Sequence, residues 1–118
     1  MGLDMWLYEK QVSEVAYWRK ANAIHGWIIN YTNSVDDCTP ISLTKRDLYV
    51  LRETCIEVLD AHTEEKALDL LPPASGFFFG SDGIDEWYWD NIQDTVTKLN
   101  EALLHSVDDA MFEYQASW

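Results

Sequence analysis

Hydrophobic positions along the chain change period several times, and each change marks an element. Leu3, Met5 and Leu7 alternate with Asp4, Trp6 and Tyr8, the period-two pattern of a strand. Aromatic residues on both sides of that alternation place the strand inside a small sheet. Residues 12–18 read as a second extended segment, forming a hairpin with the first. From Arg19 the spacing shifts: Ile24, Trp27, Ile28 and Tyr31 recur at helical intervals, predicting a helix over residues 19–32. Gly26 inside it points to a close backbone approach.

A polar loop, residues 33–39, is closed by Pro40, and Ile41 to Leu43 reads as a short extended stretch. Thr44 to Asp47 has the form of a helix-capping box, with aspartate in place of glutamate. Leu48, Leu51, Cys55, Val58 and Leu59 then form the apolar stripe of a helix over residues 45–61. A shorter helix over residues 63–71 stops at Pro72-Pro73. The Phe77-Phe78-Phe79 run between Gly76 and Gly80 cannot be amphipathic and reads as a buried strand or apolar loop. A long helix over residues 85–106 carries Trp89, Ile92, Val96, Leu99 and Leu103 on one face. Met111 to Trp118 alternates again as a terminal strand. The elements add up to an α+β fold: about four helices packed on a small antiparallel sheet built from both chain ends, as a single domain over residues 1–118.

Composition narrows the function. The chain is 47% hydrophobic and 14% aromatic with six tryptophans, enough apolar material for one core. Its formal net charge is −13, which argues against direct nucleic-acid binding and against anionic membranes, both polyanions. No apolar run approaches the roughly 18 residues of a membrane span, and no signal peptide opens the chain. The charge is lopsided: residues 1–59 hold six basic and eight acidic residues, whereas residues 60–118 hold two and thirteen. Asp82, Glu86, Asp90 and Asp94 fall at four-residue intervals, with Asp85 alongside. On a helix each such step rises about 6 Å, close to the spacing of phosphates along a nucleic-acid strand. The plain reading is a solvated helix face with acids favoured near its start. The sharper one is a surface that docks on a basic groove as a DNA mimic does, with Trp87 as an aromatic anchor. A carboxylate metal site is a further alternative, although neither a metal nor a cofactor is expected from any recognisable motif.

A second candidate lies earlier. On a helix beginning at residue 19, Trp18, Asn22 and His25 share one face, and Arg19 and Lys20 occupy the first turn. Two cations opposed by the helix dipole make sense where an anion is bound, so this face is a candidate site for an anionic metabolite or nucleotide. His25 could then serve as a general acid or base oriented by Asp36 or Asp37. The plainer alternative has Arg19 and Lys20 bridging to the acidic half and His25 as a hydrogen-bonded core residue. No nucleophilic triad, phosphate cradle or metal-binding helix motif marks an enzyme. Cys55 falls on a buried helix face, and Cys38 sits beside Asp36 and Asp37, whose charge blunts a thiolate.

Several blocks together resemble a known group. Gly2 to Tyr8, Tyr17 to His25, Asp36 to Cys38, Leu70 to Pro73, Gly76 to Ser81, Asp85 to Tyr88 and Tyr114 to Trp118 are similar to a family of small bacteriophage and prophage proteins. The resemblance implies a phage-encoded protein acting in the cytoplasm of an infected bacterium, and it supplies no catalytic residues. Small acidic accessory phage proteins often act as inhibitors of host defence, anti-CRISPR proteins and DNA mimics among them. The expected partner is therefore a host protein with a basic surface, such as a CRISPR or other defence component. A part of the virion is a third possibility.

Overall fold

The computed structural model describes residues 3–9, 13–74 and 83–117. The Phe77–Phe79 run and Asp82 lie outside the described residues. In chain order the elements are β1 (Asp4–Glu9), β2 (Ser13–Arg19), α1 (Asn22–Thr32), β3 (Ile41–Thr44), α2 (Lys45–Ala61), α3 (Glu64–Leu70), α4 (Glu86–His105) and β4 (Met111–Ser117). The fold is α+β. Its four-stranded antiparallel sheet has the order β2-β1-β4-β3, so the strands nearest the two chain ends lie side by side at its centre.

The alternation read from the sequence decides which way each strand faces. Met5, Leu7, Ala16, Trp18, Leu43, Phe112, Tyr114 and Ala116 are buried on the inner face, where burial of each large apolar side chain contributes about 1.5–3 kcal/mol. Helices reach this face through specific bonds: Trp18 Nε1 donates to Thr95 Oγ1 of α4 at 2.9 Å, and Tyr114 meets His25 of α1. On the other face Asp4, Trp6, Tyr8, Tyr17, Arg19, Glu113 and Gln115 are half-buried or exposed, and no described helix covers them.

The pairing of β1 with β2 slips between Leu7 and Tyr8, so that Leu7 faces Ala16 while Tyr8 faces Glu14. This β-bulge leaves Val15 as the extra residue. It reverses the parity of β2, which turns Glu14 outward although the other even-numbered residues, Ala16 and Trp18, point into the core.

Helix ends follow local chemistry. Thr44 and Asp47 form the reciprocal capping box at the start of α2, and Thr63 caps α3. Gly26 is a true close approach: a Cβ there would lie 3.3 Å from Ala74 Cβ. The start of α1 departs from the sequence expectation. The strand runs on through Arg19, Lys20 turns the chain with a left-handed φ of 56°, and the helix begins at Asn22 behind Ala21, which offers no side-chain cap.

α2 and α4 pack antiparallel. Lys45 at the start of α2 donates to the carbonyls of Ser106 (2.9 Å) and Val107 (3.3 Å) just beyond α4, neutralising the negative end of its dipole. Arg52 Nε donates to Asn100 Oδ1 at 2.5 Å, and His62 stacks on Trp89 with centroids 4.1 Å apart.

Candidate functional site

The long helix concentrates exposed carboxylates. α4 buries Tyr88, Ile92, Thr95, Val96, Leu99, Ala102 and Leu103, so its 3.6-residue period leaves Glu86, Asp90, Asp94 and Glu101 in solvent. These four face a single lysine on the same helix, Lys98. Asp94 takes that lysine at 2.5 Å, and Glu101 approaches His105 Nε2 at 3.3 Å. Glu86 and Asp90 form no ion pair among the described residues. Like charges at this spacing oppose helix formation by a few tenths of a kcal/mol per pair, so the row is carried by the buried stripe behind it. Asp85 belongs to the helix end: its Oδ1 accepts from the Tyr88 N–H at 3.0 Å. Trp87 is half-exposed and shares a shallow depression with Ala21, Asn22 and Asn91 beside the start of α1.

Sequence spacing along α4 alone missed a second row. Glu53, Glu57 and Asp60 are exposed on α2, the helix packed antiparallel to α4, on the side turned away from its buried Leu48, Leu51, Cys55 and Val58. Their four- and three-residue spacing was visible in the sequence; that α2 and α4 are neighbours was not. Two basic residues temper this row, Arg52 beside Glu53 at 3.0 Å and Lys66 on Glu57 at 2.9 Å.

The earlier polar block does not assemble as its helical spacing suggests. Trp18 and Arg19 belong to β2 and point to opposite faces. The Trp18 side chain is buried, with the Lys98 ammonium 5.5 Å from its ring centroid. Arg19 lies on the outer sheet face and pairs with Asp4 at 2.9 Å. The Tyr17 hydroxyl also donates to Asp4, at 2.7 Å, and together with Arg19 it holds that carboxyl below its ordinary range. Lys20 is the turn residue, its N–H donating to the Leu3 carbonyl at 2.7 Å.

Only Asn22 and His25 of the block sit on α1, and both are buried. Asn22 Oδ1 accepts from the Ala74 N–H at 3.2 Å. His25 is a hydrogen-bonded core residue: Nδ1 lies 2.6 Å from the Tyr114 hydroxyl and Nε2 lies 2.8 Å from Asp36 Oδ1. The protonation assignment that satisfies all three groups has Tyr114 donating to Nδ1 and Nε2–H donating to the Asp36 carboxylate. Asp36 is thus the carboxylate that orients the ring. Asp37 instead is held by Thr39, whose side-chain hydroxyl and then backbone N–H (at 3.1 Å) lower the carboxyl pKa. Burial drives the Tyr114 phenol well above its usual range, and the ring is 1% exposed. The chain Asp36–His25–Tyr114 therefore clasps the 33–40 loop to β4.

No protein-family model, curated protein or solved structure matches this chain. Among the described residues no group of three or more His, Cys, Asp or Glu side chains is placed to hold a metal ion, which leaves the carboxylate metal site without a geometric basis there. Both thiols are free. Cys55 is buried and its pKa is pushed up to about 12 by desolvation, while Cys38 is exposed at a left-handed φ of 66°. No described helix is long and apolar enough to cross a membrane.

Proposed function

We propose that this chain is a binding protein that docks the carboxylates of α4 onto a basic nucleic-acid-binding surface of another protein. The observation that carries the reading is the pair Glu86 and Asp90, exposed, one helical turn apart and without an ion-pair partner among the described residues. A partner cation gained there replaces water without first breaking an internal pair, and the −13 charge of the whole chain steers basic surfaces toward it. Trp87 at the same end of the helix supplies apolar contact of the kind that dominates interface energetics. Combined with the resemblance to small phage proteins, the reading extends to a counter-defence inhibitor. It would act in the cytoplasm of an infected bacterium on a CRISPR or other defence component that itself grips nucleic acid.

The test compares the wild-type chain with Glu86→Lys/Asp90→Lys/Glu101→Lys, tagged and recovered from infected cells. These positions leave the Asp85 cap and the Asp94–Lys98 pair in place. The wild type is expected to retain a nucleic-acid-binding protein that elutes with rising salt and is displaced by DNA or RNA. The variant is expected to bind that protein about a hundredfold more weakly. Equal retention of the same partner by the variant at the same salt would sink the reading.

A further inference from the structure

The outer face of the sheet carries a second, differently built surface. Strand register fixes its rows. In one row Tyr17, Trp6 and Gln115 lie side by side; in the next, Glu14, Tyr8 and Glu113 do. Directly opposed side chains on neighbouring strands stand about 4.5–5.5 Å apart at Cβ, and successive rows on one face are about 6.6 Å apart. Tyr8 is therefore flanked by a carboxylate on either side, with the Trp6 ring in the adjoining row. Trp6 and Tyr17 lie with centroids 5.8 Å apart and planes tilted 50°. Gln115 Nε2 donates to Glu113 Oε2 at 2.8 Å, which orients that carboxylate and leaves its charge in place. At the far end of the face Asp4 is already neutralised by Arg19. Glu14 reaches this row only because the bulge turns it outward.

We propose that this outer face is a docking platform for an arginine side chain presented by a basic peptide or protein segment. A guanidinium stacks on an aromatic ring within about 6 Å of its centroid and can fork to a carboxylate beside it; the Glu14–Tyr8–Glu113 row offers both. Arginine fits better than lysine because its planar, weakly hydrated head can do the two things at once. The charge pattern excludes the obvious rivals: Glu14 and Glu113 repel phosphates, and they repel the same face of a second copy.

The surface is separate from the α4 row, and its test separates the two. The 15N-labelled protein is titrated at physiological salt with a nona-arginine peptide and with its lysine counterpart, and chemical shifts are followed residue by residue. Saturable shifts are expected at the Trp6 indole N–H and at the amides of Tyr8, Glu14 and Glu113, with the arginine peptide binding the more tightly. Glu14→Gln/Glu113→Gln is expected to weaken binding at these signals about fivefold, with the response of the Glu86 and Asp90 amides unchanged. Shifts confined to α4, or an unaltered affinity at the sheet signals in the double variant, overturn the proposal. Shifts confined to the sheet would instead count against the α4 reading.

Discussion

His25 shows how a polar residue becomes part of a core. An imidazole that is 1% exposed is tolerated because both ring nitrogens have partners, at 2.6 Å and 2.8 Å; an unmet buried group forfeits the water it gave up. Tyr114→Phe removes one partner without changing the shape of the core and is expected to destabilise the fold by about 1–3 kcal/mol. Asp36→Asn is expected to do less, since an amide oxygen still accepts from Nε2–H. Urea unfolding measures both, with the slope unchanged if the native packing survives; a neutral Tyr114→Phe would refute the clasp. The role of His25 as a core residue was legible in the sequence, and so was the candidacy of Asp36. Tyr114 was not, because its hydroxyl arrives from the other end of the chain.

Among the elements, β2 combines the exposed flank of an edge strand with a device that protects it. Unpaired backbone groups along an edge invite pairing with other chains. Lys98 of α4 reaches across and donates to the Tyr17 carbonyl of β2, held in place by Asp94 at 2.5 Å and by the Trp18 ring. Lys98→Ala is expected to lower stability by about 1 kcal/mol and to promote self-association, seen as concentration-dependent sedimentation. A variant that stays monomeric at every concentration would show that the edge is guarded by something else.

The strands and the long helices were readable because their alternation or their stripe matches the face they bury, and the α2 cap because Thr44 and Asp47 stand three residues apart. The β2–α1 junction was not. Trp18, Asn22 and His25 happen to follow helical spacing, and the turn between them uses Lys20 in a left-handed conformation instead of the glycine that would have marked it. The bulge was equally silent, since neither Glu14 nor Val15 differs from an ordinary strand residue. Of the acidic site, Glu86 and Asp90 stand in solvent as their spacing implied, whereas the capping use of Asp85 needed its Oδ1 bond to the Tyr88 N–H to be seen.

At the scale of the whole molecule, a charge of −13 is confined to a body with a radius of gyration of 13.4 Å. Charges of one sign at such distances repel through a Debye length of about 10 Å at 0.1 M salt and about 3 Å at 1 M, and this repulsion opposes the compact state. Cations that would offset it are committed locally: Arg19 to Asp4, Lys45 to the end of α4, Lys66 to Glu57. Added sodium chloride is therefore expected to stabilise the protein, raising Tm by about 4 °C per kcal/mol of relieved repulsion. Thermal melts followed by circular dichroism across a salt series check this, and a Tm that falls with salt would mean that the surface ion pairs outweigh the excess charge.

The placement of β1 beside β4 also governs the order of events during synthesis. β1 emerges from the ribosome early but meets one of its two neighbours only when Met111–Ser117 follows. Until then the inward side chains of β1 and β3 have no strand between them, and Phe112, Tyr114 and Ala116 are missing from the core they complete. The helices can form locally as they appear, but closing the sheet must wait for contacts that span nearly the whole chain, the slowest kind to make. A nascent chain of this protein is thus a set of helices and one hairpin seeking a centre, and its last strand is the one that locks the others.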